Sequence, residues 1–391
     1  MKKIIIEKIF LKNGGGSCRL EAELSGEKTG RLFFEVEDKF GKYFDASRAD
    51  CFVVALLPQA AMDGIDIESR VPVSARLLFQ LNTFLCGVLA KVYAERKVKI
   101  SAPLAEECAE NAGAIGTGIT CGVDSLYTVA EYSRTPFPKQ NLTHLCLFNV
   151  GSHDIGADNP AEMERVRTDL ARSFCSENGY EFLRINSNVR DFSPNYTRYY
   201  SILNMSAVMS VAKLFSCFYS SSGYSVSEFQ LTATDLAHFE IFILDTLSSG
   251  TLKFYSAGAE VSRFEKVKRL TEFSPSYRFL NVCNLHAENC SVCIKCLRTL
   301  YGLDILDALD KYVAVFDIDG YRKNHSRFLA ECWVRAHFAK DGYCREMLPL
   351  LRKKYGLSFP HMIRESIRFI CSRLKIYSFS YICYRLRDAK H

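Results

Sequence analysis

No uncharged apolar stretch in this 391-residue sequence reaches the roughly 20 residues needed to span a membrane, so a membrane-embedded chain is not expected. The opening MKKIIIEKIF starts with charge as a signal peptide does, but Glu7 and Lys8 interrupt its apolar run and suit a strand instead. A cytoplasmic location follows as the expectation. A GxxxxGK[ST] phosphate loop is also missing, which sets aside the P-loop kinases and GTPases. The cysteines lack the distribution of a secreted scaffold: of sixteen, twelve are scattered through apolar surroundings and four are bunched together. That arrangement fits a reducing compartment and one metal site.

What is present is ordinary for globular protein, with 48% hydrophobic and 24% charged residues, and the length suggests two or three domains. The net charge of +6 is uneven. Residues 352–391 carry ten Lys/Arg against Glu365 and Asp388, a local +8. This basic tail reads as a solvated helical face or as a surface for an anionic partner such as RNA, a nucleotide product or a membrane.

Residues 113–134, GAIGTGITCGVDSLYTVAEYSR, read as a strand, a tight loop and the start of a helix. A loop so placed aims backbone N–H groups and the positive end of the helix dipole at one point, where a phosphate can sit. Gly122 permits close approach, and the hydroxyls of Thr120 and Ser125 can donate to phosphate oxygens. Asp124 beside an anion site is repulsive unless a cation lies between, which points to Mg²⁺ bridging to a nucleotide. The plain alternative is a βα turn with an Asp/Ser helix start.

Thr120-Cys121-Gly122-Val123-Asp124-Ser125 resembles the SGGxDS pyrophosphate loop of the ATP pyrophosphatases, with Cys121 standing where the first Gly of that motif sits. If that position needs a positive φ, Cys121 is strained. Further on, Phe148–Asp154 (FNVGSHD) is similar to a segment of the 7-cyano-7-deazaguanine synthases, with His153 one residue out of register. Ser262-Arg263-x-Glu265 resembles their TKAE segment, with Arg263 in place of Lys. Cys283-x6-Cys290-x2-Cys293-x2-Cys296 then stands where those synthases have a four-cysteine site. By its spacing alone this set suits a tetrahedral ion in a closed structural shell, zinc as the usual occupant or an iron–sulfur cluster as the alternative. The motif order agrees over 113–300, about half of the chain.

Along the rest of the chain, short strands are expected at 4–10, 18–24, 31–36 and 51–57, followed by a helix over 74–96 and a strand at 98–102. Residues 142–150 read as a buried parallel strand, with Gly151 just after it; 159–178 is a helix with Asn159-Pro160 at its start, and 180–186 a further strand ending at Arg190. An aromatic helix is expected over 196–219, strands near 229–232 and 252–255, a helix over 260–270, and helical structure after 300, including an amphipathic piece over 367–384. The fold class is therefore α/β: an open parallel sheet with flanking helices of the ATP pyrophosphatase type over 109–300, a β-rich N-terminal domain over 1–108 and a helical, basic extension over 301–391. Ligands of such sheets bind at the carboxyl ends of the strands.

The resemblance implies an ATP-dependent carbon–nitrogen ligase. A substrate carboxylate, similar to 7-carboxy-7-deazaguanine, is adenylated with release of pyrophosphate, and ammonia or another amine captures the acyl group to give an amide or a nitrile. Asp124, Ser125 and Arg263 would carry the chemistry; Thr120, Cys121, Gly122, Val123, Gly151, His153 and Arg190 would join Asp124 and Ser125 in holding ATP and Mg²⁺; Cys283, Cys290, Cys293 and Cys296 would hold Zn²⁺. No glutaminase segment is recognisable, so free ammonia or an amine is implied. Tyr196 and Phe192 are aromatic candidates for stacking on a flat substrate. Relatives with an extra N-terminal domain couple such acids to other amines, possible protein partners among them, in phage defence. Two other readings stay open: a tRNA sulfur-transfer enzyme, for which Cys121 is the one cysteine placed by the anion site, and a catalytically degenerate, zinc-stabilised binding module.

Overall fold

The alternating apolar residues of the first forty positions form a meander of three antiparallel strands, β1 (Lys3–Gly14), β2 (Ser17–Gly26) and β3 (Gly30–Glu37). The tight turn between β1 and β2 is made by Gly15 and Gly16, both at positive φ. These coordinates are a computed structural model describing residues 2–106, 111–151, 159–339 and 341–356. The chain divides into two units, Met1–Ser262 and Arg263–His391.

In the first unit, the run expected as a strand over 51–57 is instead part of the helix α1 (Asp50–Asp63). Every residue from Cys51 to Ala61 is buried, so the sequence shows neither a period of two nor one of 3.6. After β4 (Asp66–Ser69) comes α2, continuous over Ala75–Tyr93 with a π turn at Leu81–Leu85. Although the sequence lacks an uncharged stretch of spanning length, α2 carries only Arg76 and Lys91 and is, by length and composition, long and apolar enough to cross a membrane, with a mean hydropathy of 1.3. Its Leu77, Leu81, Leu85 and Leu89 are buried. Only Ile100–Ser101 of the next segment is extended, as β5.

The parallel part follows: β6 (Ala114–Gly118), α3 (Val123–Tyr132), β7 (His144–Asn149), α4 (Pro160–Asn178), β8 (Glu181–Ser187), α5 (Tyr196–Ser210), β9 (Phe215–Ser221), α6 (Glu240–Leu247) and β10 (Lys253–Ala257). Asn159 caps α4 by accepting from the Glu162 N–H, and Gly179 ends it at φ 76°, as its sequence signals require. The helix expected over 196–219 stops at Ser210, and its end from Phe215 onward belongs to β9. The segment 229–232 is not a strand; its neighbour Asp235 caps a short turn, accepting from the Ala237 N–H at 3.0 Å and the Tyr224 hydroxyl at 2.9 Å.

These ten strands lie in one open, mixed, mostly parallel sheet, in the order β10-β9-β6-β7-β8-β3-β2-β1-β4-β5, while the short segments Val73–Ser74 and Leu104–Ala105 pair apart from it. The strands expected in separate domains over 1–108 and 109–300 thus share one sheet. They meet where β3 pairs antiparallel with β8 through Glu35–Asn186 and Phe34–Ser187. Asn188 extends the seam by accepting from the Phe33 N–H and donating to the Arg31 carbonyl. Helix α5 is anchored on α1 by a fully buried hydrogen bond from the Tyr199 hydroxyl to Gln59, 2.6 Å.

The second unit is helical: α7 (Arg263–Leu270), α8 (Ile294–Ile305), α9 (His325–His337) and α10 (Gly342–Tyr355). Its polar hub is Asp304, which is 2% exposed and accepts hydrogen bonds from Tyr321, His325, Lys354 and Tyr355. Burial pushes this carboxyl up, and the bonds from His325, Tyr355 and Tyr321 more than reverse that, holding it at about 2. His153, with Asp154, and the tail from residue 357 onward, including 367–384, lie outside the described residues.

Candidate functional site

Numbered by their place in the chain, the five core strands run 5-4-1-2-3 across the sheet. Strand order reverses between β6 and β9, and open α/β sheets bind ligands outside the carboxyl end of such a pair. The loop Ile119–Gly122 leaves β6 at that point. A cavity of about 240 Å³ opens there, lined by Thr120, Gly122, Asp124 and Ser125 from the loop, Phe148 from β7 and Ser221 from β9, among others.

The loop is held to β7 by the Ile119 N–H, which donates to the Cys146 carbonyl at 2.8 Å, and is then tied to itself. The Ser125 hydroxyl donates to the Gly122 carbonyl at 3.1 Å and lies 3.4 Å from the Thr120 Oγ1, which in turn accepts from the Gly122 N–H. Gly122 is the N-cap of α3 and supplies no side-chain cap, so the first N–H groups of that helix have no side-chain oxygen from the capping position. A helix start of this kind favours an anion.

Cys121 sits at φ 55°, in the left-handed region that favours glycine, so the strain anticipated from the sequence is present. Its thiol is fully buried, and burial pushes its pKa well above the ordinary thiol range. Such a thiol is inert as a nucleophile. Val123 is likewise buried and packs the loop onto the sheet.

Gly151 follows β7 at φ 108°, and a side chain there would meet Tyr196 and Arg190 at 3.5 and 3.6 Å. Gly151, Arg190 and Tyr196 are therefore neighbours at the strand ends. Tyr196 lines the cavity. Phe192 does not: it is 6% exposed, within the apolar core. Apart from Tyr196, the remaining wall of the cavity was not foreseen. It is the face of α5 that carries Tyr196, Tyr200, Ser201, Asn204 and Met205, together with Ser220, Ser221 and Gly223 at and beyond the end of β9. The signal was available in the i, i+4, i+8 spacing of Tyr196, Tyr200 and Asn204.

In the second unit, Arg263 opens α7 and lies over the ring of Tyr343 at 5.9 Å, a ring that Arg298 also covers at 4.5 Å. The four cysteines predicted as metal ligands come together, with all four sulfurs within 4.8 Å of one another, a group able to hold a metal ion. Cys283 Sγ lies 3.7 Å from Cys290 Sγ and 3.8 Å from Cys293 Sγ. Asn289 organises the knuckle: its Oδ1 accepts from the N–H groups of Val282 and Cys283, and its amide donates to the carbonyls of Leu280 and Val315. Cys293 is held below the ordinary thiol range, chiefly because the Cys296 thiol donates to it. Ionisation matters, since the thiolate is the form that binds metal. Compared with protein-family models, curated proteins and solved structures, the chain finds no match among any of the three.

Proposed function

We propose that the chain is an ATP-dependent carbon–nitrogen ligase of the ATP pyrophosphatase type, which adenylates a planar carboxylate similar to 7-carboxy-7-deazaguanine and passes it to ammonia or another amine. The observation that carries this reading is the loop 119–125: it stands at the reversal of strand order, turns through a left-handed residue at 121 and enters α3 without a side-chain cap.

In the proposed reaction a carboxylate oxygen attacks the α-phosphorus of ATP and the bond to the pyrophosphate oxygen breaks. The amine then attacks the acyl carbon and AMP leaves. The N–H groups at the start of α3, with the hydroxyls of Thr120 and Ser125, hold the charge of the departing pyrophosphate, and the cavity walls align the reactants; no protein nucleophile is needed. Asp124 would hold Mg²⁺, which supplies charge neutralisation between the phosphates. Zinc is the proposed occupant of the cysteine site. Four sulfurs 2.3 Å from one ion stand about 3.8 Å apart, which the Cys283 distances of 3.7 and 3.8 Å match. A closed shell of this kind is structural. A nucleic-acid or protein partner for the basic tail remains part of the proposal, as does a setting in phage defence.

The burial of Cys121 counts against sulfur transfer, which needs an accessible thiol by the anion site. The test of the main reading is pyrophosphate release from labelled ATP with a panel of planar heterocyclic acids and ammonia. Release that depends on the acid supports ligation. Nucleotide binding without release under every acid would leave a binding module.

A further inference from the structure

Helix α5 carries three serines whose hydroxyls can be compared directly. Ser206 donates to the Leu203 carbonyl and Ser210 to the Ala207 carbonyl, each at 2.7 Å. Ser201 is as deeply buried, at 2% exposure, yet its hydroxyl has no hydrogen-bond partner among the described residues. Tyr199, two residues earlier, departs from helical dihedrals at φ −137° and ψ 29°, a kink inside the helix. A buried hydroxyl without a partner is costly and uncommon. Ser201 is also a wall residue of the cavity beside the loop, so the missing partner has a place to come from.

The same wall has a consistent chemistry. Tyr196 and Tyr200 lie one turn apart with ring centroids 6.0 Å from each other, and on the far side Phe148 and Phe218 stand 5.9 Å apart. Asn204, a further turn along, accepts from the Tyr196 hydroxyl at 3.4 Å, and its amide N–H groups have no acceptor among the described residues. Among the described residues of the lining, Asp124, at the loop end, is the only Asp, Glu, Lys or Arg. The cavity is thus charged and donor-rich at one end, aromatic and neutral at the other.

Resting on the adenylation reading above, we infer that this wall of α5 is a recognition surface for a purine-like base, with Tyr196 and Tyr200 against its face and Asn204 and Ser201 hydrogen-bonded to its edge. An amide offers an adjacent donor and acceptor, the pairing by which Asn reads the edge of adenine, and aromatic side chains stack on any base. Tyr200 serves as a donor as well, since burial and the carboxylates of Asp235 and Glu240 keep its phenol protonated. The base can belong to the nucleotide or to the heterocyclic acid, and the chemistry of recognition is the same.

The test is isothermal titration of the full chain with Mg²⁺ and three probes: inorganic pyrophosphate, α,β-methylene-ATP and 7-carboxy-7-deazaguanine. Asn204→Leu and Ser201→Ala should leave pyrophosphate affinity within twofold of wild type. One base-bearing probe should weaken tenfold or more in Asn204→Leu and severalfold in Ser201→Ala, and its identity names the source of the base. Because the Ser201 hydroxyl has no partner among the described residues, Ser201→Ala should melt at or above wild type while it binds more weakly, a combination that a structural role would not give. If both base-bearing probes stay within twofold in Ser201→Ala and in folded Asn204→Leu while pyrophosphate still binds, the inference is overturned and the adenylation reading stands. If pyrophosphate fails to bind wild type, both fall.

Discussion

Replacing Cys121 by glycine and by alanine separates backbone strain from side-chain packing in the loop. At φ 55° an L-residue bears a cost of about 1–2 kcal/mol that glycine escapes. Against this, glycine loses about 0.5–1 kcal/mol more than alanine in chain entropy, and it forfeits the burial of one carbon, about 0.8 kcal/mol. Both variants lose the thiol, so that loss cancels between them. The sum places Cys121→Gly and Cys121→Ala within about 1 kcal/mol of each other, whereas at an ordinary buried position glycine would fall below alanine by roughly 1.3–1.8 kcal/mol. Urea unfolding of the two variants side by side, with slopes compared to exclude a change in the unfolded chain, measures the difference. A glycine variant less stable than the alanine variant by 1.5 kcal/mol or more would refute the left-handed conformation at 121. Pyrophosphate release should be kept or raised in Cys121→Gly; its loss in a protein of unchanged stability would mean that the thiol takes part in the chemistry.

Asp124→Asn keeps the shape of the side chain and removes its charge, so pyrophosphate release should disappear while melting is unchanged; undiminished turnover would remove the loop from the mechanism. Cys293→Ser should release bound zinc and destabilise the second unit by several kcal/mol through lost metal-coupled folding, read as metal content and as fluorescence of Trp333, the single tryptophan, in α9; iron with labile sulfide in the wild-type protein would reassign the site. The depressed pKa of Asp304, about 2, means that its contribution is complete above the unfolded carboxyl value near 4 and is lost as pH falls toward 2. Asp304→Asn should therefore cost about 2 kcal/mol at pH 7 and flatten the stability of the second unit between pH 4 and 2; an unchanged acid limb would show that the hub does not hold the charged form.

The parallel strands and the loop were legible because their signals are local. The apolar run at 142–150, the Asn159-Pro160 start and the Gly179 stop of α4, and the Gly-rich approach to Thr120 each report on a few adjacent residues. Two kinds of information were not local. The run from Cys51 to Ala61 is buried on all sides, and its uniform hydrophobicity erases the period that would have distinguished helix from strand. The stretch from Tyr196 to Tyr219 has no glycine or proline to mark the end of α5, so β9 was absorbed into the helix, and with it went the strand end that supplies Ser220 and Ser221 to the cavity. The cysteine spacing did foretell that the four sulfurs come together. Asn289, which holds the knuckle through four backbone groups, carries no signal at all in a sequence read for ligands.

The seam between β3 and β8 bears on how this chain can be cut or recombined. Only two residue pairs join the strands, yet they cover one flank of the strand whose end carries Arg190 beside Gly151. A fragment starting near residue 109 would turn β8 into an exposed border with unpaired N–H and C=O groups, a template for sticking to other copies. Cloning the parallel core alone would then yield insoluble material, and grafting the meander onto a foreign core would succeed only where the recipient offers a bare strand in the same direction. The first forty residues act as a selvedge, woven into the sheet and keeping its edge from fraying.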